Sequence, residues 1–110
     1  LVQGNHDVMG SYQYSRKGIK VHDSLRIGSF LLTHHPLETI PTGLYNIAGH
    51  IHPGVSLRGR GKQAITLPCF YFGDRQALLP AFGKFTGLAR IAPKKSDRVF
   101  IVAEDKVLAV

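Results

Sequence analysis

Short apolar runs broken by polar or glycine-containing stretches set the rhythm of this chain, and hardly any segment repeats its apolar residues at the helical period of about 3.6. A brief apolar lead, Leu1-Val2, runs into Gly4-Asn5-His6-Asp7. The polar stretch from Ser11 to Gly18 reads as a loop or a short helix. From Ile19 the pattern turns to strand, with Ile19, Val21, Leu25 and Ile27 flanking Asp23-Ser24. Gly28-Ser29 is a turn before Phe30-Leu31-Leu32, so a hairpin delivers the histidines that follow. Pro41 and Gly43 mark a loop, and Tyr45-Asn46-Ile47-Ala48 is a short buried strand. Val55-Ser56-Leu57 alternates before the basic turn Arg58-Gly59-Arg60-Gly61-Lys62. Residues 64–72 form the strongest predicted strand, and Gly73-Asp74 turns it back toward 76–79. A loop carrying Phe82 and Phe85 precedes a strand over 88–91, and a last hairpin pairs 99–103 with 107–110 about Glu104-Asp105-Lys106. The expectation is a strand-rich piece of an α/β protein with no internal repeat.

Three of these strands end in chemistry. Gly4-Asn5-His6-Asp7, taken alone, is either a turn or a polar cluster at a strand's carboxyl edge, where α/β proteins place their sites. Phe30-Leu31-Leu32 runs through Thr33 into His34-His35-Pro36, and residues 45–48 run into Gly49-His50-Ile51-His52-Pro53. Five of the six histidines therefore stand just past strands. Imidazole both ligates borderline metals and moves protons near neutral pH. An extended segment at 49–52 would put His50 and His52 on the same side. His22 falls outside the pattern and reads as an exposed strand residue.

Composition adds little to this and removes some options. The 110 residues carry 44% hydrophobic side chains, enough for one small core. Fourteen Lys and Arg against seven Asp and Glu give a formal +7, which favours an anionic partner without requiring one. The single cysteine, Cys69, lies in an apolar run, as a buried thiol in a reducing, cytoplasmic setting would. No run reaches the ~18 apolar residues of a membrane span, so a membrane partner is not expected. Because Leu1-Val2-Gln3 leads directly into the first cluster, the chain reads as the carboxyl-terminal part of a longer protein.

Gly4-Asn5-His6-Asp7, then His34-His35-Pro36 with the pattern His-x-Pro, then Gly49-His50-Ile51-His52, resembles in order the calcineurin-like metallophosphoesterase superfamily. The resemblance implies a four-layer α/β/β/α sandwich, of which residues 1–110 would be the carboxyl-terminal portion of a single domain. It implies a hydrolase that cleaves phosphoester bonds by two-metal hydroxide attack. Asn5, His34 and His50 would ligate one metal and His52 the other, with His35 standing behind His34, although either of these neighbours could be the ligand. His6 would act as general acid or phosphate-binding donor, and Asp7 would orient its imidazole. Mn2+ is the first expectation for such mixed N and O ligands, with Fe, Zn and Mg as alternatives.

Members also carry an upstream Asp-x-His and a Gly-Asp whose carboxylate bridges both metals; no Asp-x-His is in these residues, and the one Gly-Asp, Gly73-Asp74, reads as a turn rather than the bridging motif, as Asp23 reads as part of a hairpin. This portion alone is therefore expected to be inactive. Leu67-Pro68-Cys69-Phe70 and residues 79–87 look like the ligase-associated DNA damage response (PdeM-like) phosphoesterases. That group implies a phosphodiesterase or nuclease acting on DNA in repair, with a DNA ligase and a helicase as partners. Arg58, Arg60 and Lys62 are then either a turn that touches phosphate or nucleic acid, or a solvated turn. Two other readings stay open: a phosphatase or phosphodiesterase for small nucleotides, and a catalytically silent interaction scaffold on the same fold.

Overall fold

The computed structural model of the chain describes residues 1–5, 10–83 and 87–110, with backbone alone at Ser11, Tyr12 and Lys62. Its elements are a helix α1 (Ser11–Arg16) and strands β1 (Ser24–Ile27), β2 (Phe30–Thr33), β3 (Tyr45–Ala48), β4 (Pro53–Arg58), β5 (Ala64–Phe72), β6 (Gln76–Leu78), β7 (Ala89–Arg90), β8 (Arg98–Ala103) and β9 (Lys106–Ala109). Together they make a mixed sheet with little helix, consistent with a fragment of an α/β fold.

Strands β1 and β2 form the expected hairpin, and Gly28 at φ 60° supplies the left-handed backbone that its two-residue turn requires. Beside it, β2, β3 and β6 run parallel, pairing Thr33 with Ala48 and Ala48 with Leu78. Strand β5 ties the rest together. Its first half pairs antiparallel with β4, and its second half lies between β6 and β8. Pro68 sits at the handover, opposite Gly54, where β5 leaves one partner for the next; a residue without an N–H is tolerated at such a break in the ladder.

The core lies where β4, β5 and β8 meet. Val55, Cys69, Val99 and Ile101 are buried together, with Leu57, Leu67, Tyr71 and Ile91 packed against them. Full burial of each such aliphatic side chain is worth about 1.5–3 kcal/mol. Burial pushes the Cys69 thiol up from its ordinary pKa, which keeps it protonated and unreactive.

Three expectations change in detail. The polar stretch after Gly10 does form a helix, of six residues, with no side-chain cap. The strand expected from Ile19 is reduced to a single parallel bridge between Val2 and His22, and regular pairing begins only at Ser24. His22 is consequently half-buried rather than exposed, its N–H donating to the Leu1 carbonyl at 2.7 Å and its carbonyl accepting from Gln3 N–H at 2.9 Å. Among the described residues no helix is long and apolar enough to cross a membrane.

Candidate metal centre

Parallel strands end on one edge, and this sheet uses that edge. The ladder between β2 and β3 continues one residue past both strands, Gly49 N–H donating to the His34 carbonyl at 3.0 Å, and Leu79 N–H likewise reaches the Ala48 carbonyl at 2.9 Å. His34 and His35 leave the end of β2 and His50 leaves the end of β3, so residues 16 apart in sequence arrive side by side. The Val2–His22 bridge brings the amino-terminal segment alongside, and Asn5 follows it.

The side chains meet at atoms that hold lone pairs. His34 Nε2 lies 2.8 Å from Asn5 Oδ1 and 3.1 Å from His50 Nδ1. The three rings of His34, His35 and His50 cluster, with centroid separations of 4.8 Å (34–35), 4.9 Å (34–50) and 4.1 Å (35–50). A nitrogen from each of the three lies within 4.8 Å of the others, so the group could hold a metal ion. One imidazole nitrogen carries at most one hydrogen, and an amide oxygen carries none. With Asn5 Oδ1 able only to accept, one hydrogen on His34 Nε2 would have to serve both contacts, whereas a cation in its place would draw on a lone pair from each of the three atoms. Neutral imidazoles with an amide oxygen suit a divalent transition metal. His34 and His50 are half-buried while His35 is exposed, so the group opens to solvent on the His35 side.

Local backbone shapes the group in two ways that sequence patterns did not reveal. A Cβ on Gly4 would stand 2.6 Å from Cε1 and Nδ1 of His34, so the imidazole occupies the space that any side chain at position 4 would need. Beyond β3, the segment from Gly49 to His52 is not extended. His50 has φ 62° and His52 φ 55°, both left-handed, and Ile51 N–H donates to the Gly49 carbonyl at 2.7 Å, a tight turn centred on His50. Non-glycine residues in this region cost about 1–3 kcal/mol each and concentrate at functional sites. The same-side argument for His50 and His52 fails for that reason, and His52 is not in the three-histidine group; its carbonyl instead accepts from Ala89 N–H at 3.0 Å. His35, expected behind His34, stands in the group.

The remaining candidates are placed less closely. Arg58 ends β4 and Arg60 opens the short 3-10 turn Arg60–Lys62 at the tip of the β4–β5 hairpin, both exposed, while the side chain of Lys62 lies outside the described atoms. His6 and Asp7 lie outside the described residues. One polar residue that sequence reasoning passed over, Asn46, is completely buried within β3, four residues before His50.

No protein-family model matches the chain, and no curated protein matches it. Among solved structures it is similar to the crystal structure of Pseudomonas putida nuclease MPE, with a TM-score of 0.75 and 31% identity over 100% of this chain and 52% of that one. The chain thus spans about half the length of that protein. The likeness assigns it a nuclease-like or phosphoesterase-like fold.

Proposed function

We propose that this chain is part of a metal-dependent phosphoesterase of the calcineurin-like kind, the carboxyl-terminal portion of a four-layer domain, that cleaves phosphodiester bonds in DNA. The observation that carries this reading is the convergence of Asn5 Oδ1, His34 Nε2 and His50 Nδ1 at the carboxyl ends of neighbouring parallel strands. The likeness to a protein named a nuclease supports it. Asn5, His34 and His50 would hold one divalent ion, with Mn2+ preferred, and His52 would serve a second. When bound, such ions supply positive charge against the phosphate oxygens and acidify water.

The chain's own residues do the rest. His6 gives a proton to the departing oxygen, and the Asp7 carboxylate keeps that imidazole oriented. Arg58, Arg60 and Lys62 contact backbone phosphates outside the cleavage point, in keeping with the net charge of +7. The setting is cytoplasmic DNA repair, alongside a DNA ligase and a helicase; the single buried thiol fits a reducing compartment.

The test is hydrolysis by the full-length protein with Mn2+ added, on single- and double-stranded DNA, on mononucleotides and on a nitrophenyl phosphodiester. DNA cleavage that is lost in His34→Ala and His50→Ala is the expected result. Phosphate release from mononucleotides with DNA untouched would transfer the reading to small nucleotides, and no Mn2+ binding would leave an interaction scaffold.

A further inference from the structure

Asn46 is fully buried, and every hydrogen-bonding position of its amide is used. Nδ2 donates to the Leu31 carbonyl at 2.9 Å and to Thr33 Oγ1 at 3.0 Å. Oδ1 accepts from Leu37 N–H at 3.1 Å and from Gln76 Nε2 at 2.8 Å. Having accepted one hydrogen from Asn46, the Thr33 hydroxyl turns its own toward the His35 carbonyl at 2.6 Å. Gln76 Nε2 also donates to the Leu37 carbonyl at 3.0 Å.

The bonds fall on both sides of the bend from His34 to Pro36. Upstream of it, Asn46 holds Leu31 and Thr33 of β2; at its apex the Thr33 hydroxyl holds the His35 carbonyl; downstream Asn46 and Gln76 hold both polar groups of the Leu37 main chain. A bend joined to β3 and β6 at these points has little freedom to shift, and the His34 ring rides on it against Gly4. Burying a polar amide in the centre of a strand is costly unless all its bonds are made. Valine or isoleucine would serve a strand interior as well, but neither can make the two donations upstream and two acceptances downstream that the Asn46 amide makes at once.

We propose that the Asn46 amide and the Thr33 hydroxyl form a positioning relay that fixes the His34–His35 bend and thereby the alignment of His34 with Asn5 and His50. This inference rests on the metal reading for its functional meaning, but not for its geometry. Neither residue touches the ion or the substrate; both act through the main chain. Groups that orient metal ligands typically alter affinity 10–100-fold when removed, which sets the scale at about tenfold or more here.

Thr33→Val removes the hydroxyl with almost no change in shape, and Thr33→Ser restores it. In the full-length protein, calorimetric Mn2+ affinity should fall about tenfold or more in Thr33→Val and return in Thr33→Ser. In the metal-free protein, the nuclear Overhauser contact between the His34 ring and the Gly4 α-protons should weaken in Thr33→Val and recover in Thr33→Ser. Asn46→Ala should be at least as damaging on both readouts; if it fails to fold, the Thr33 pair decides. Unchanged affinity in Thr33→Val, with wild type binding Mn2+ and His34→Ala not, would overturn the relay. If wild type binds no Mn2+, or His34→Ala binds as well as wild type, the metal reading fails instead. The Overhauser contact then decides, and its full retention in Thr33→Val overturns the relay independently.

Discussion

The imidazole of His34 packs against the main chain of Gly4, where a Cβ would stand 2.6 Å from its Nδ1 and Cε1 and 3.0 Å from Cγ. Gly4 is thus less a turn residue than a wall cut away to admit the ring. The contact also explains how Asn5 reaches His34 across 29 residues of sequence: glycine lets the amino-terminal segment approach closely enough for its neighbour's amide to meet Nε2 at 2.8 Å.

Gly4→Ala should accordingly push the His34 ring out of line with Asn5 and His50. The expected outcome is a loss of about 10–100-fold in Mn2+ affinity, measured by calorimetry, with little change in overall fold. Gly10→Ala is the control, because among the described residues nothing stands within 4 Å of a Cβ there. Equal affinities in the two variants would mean that the ring can move aside without consequence.

The histidines divide by position. His34 and His50 share the point where the lone pairs meet, His35 borders it from the solvent side, and His52 is outside the group. The isolated 110 residues should therefore bind at most one divalent ion, weakly, and hydrolyse no phosphodiester above background. His34→Ala and His50→Ala should each abolish that binding, and His52→Ala should leave it intact. Metal titration of the purified chain with a parallel nitrophenyl diester assay checks this; two tight ions with turnover would show that carboxylates complete the site from within the chain or from a second copy.

Strand positions and turn residues made the frame legible beforehand. The hairpin into His34, the buried run at Tyr45–Ala48, the long β5 and the closing hairpin all follow from short apolar runs ended by glycine or polar pairs. The approach of His34 to His50 follows once those strands are laid parallel. What stayed hidden was non-local or conformational. Nothing in the sequence shows that position 4 must be empty for the sake of position 34, or that His50 and His52 take left-handed backbone. Asn46 carried a signal that could have been used: an amide inside an apolar strand must find partners, and it found them on β2, β6 and the loop between β2 and β3.

Away from the histidine group, Tyr71 gives the fold a pH limit. Its hydroxyl donates to Asp97 Oδ2 at 2.8 Å, and burial first, then that bond to a carboxylate, pushes its pKa up to about 12. The folded state favours the neutral phenol, so its stabilising effect is complete below the ordinary pKa of about 10 and is lost as pH rises from there toward 12. Urea unfolding across this window should show wild type losing stability faster than Tyr71→Phe, which cannot ionise. Parallel curves for the two proteins would assign the alkaline loss to other groups, Tyr45 among them, whose pKa burial also raises.

The β4–β5 hairpin decides whether the surplus positive charge has a use. Arg58 and Arg60 are exposed at its tip, and Lys62 closes the same turn. Solvated cations at a hairpin tip are common, and their charge alone cannot separate a phosphate contact from ordinary surface. Counterion release can separate them, because each phosphate neutralised on duplex DNA adds about 0.9 to the slope of log affinity against log salt. If all three contact the backbone, replacing them together with Gln in the full-length protein should lower that slope by roughly 2 to 3 and weaken binding to different sequences by the same factor. Mn2+ affinity should not change, since none of the three belongs to the histidine group. A slope equal to that of wild type would leave the hairpin as solvated surface and require the DNA path to be sought elsewhere on the molecule.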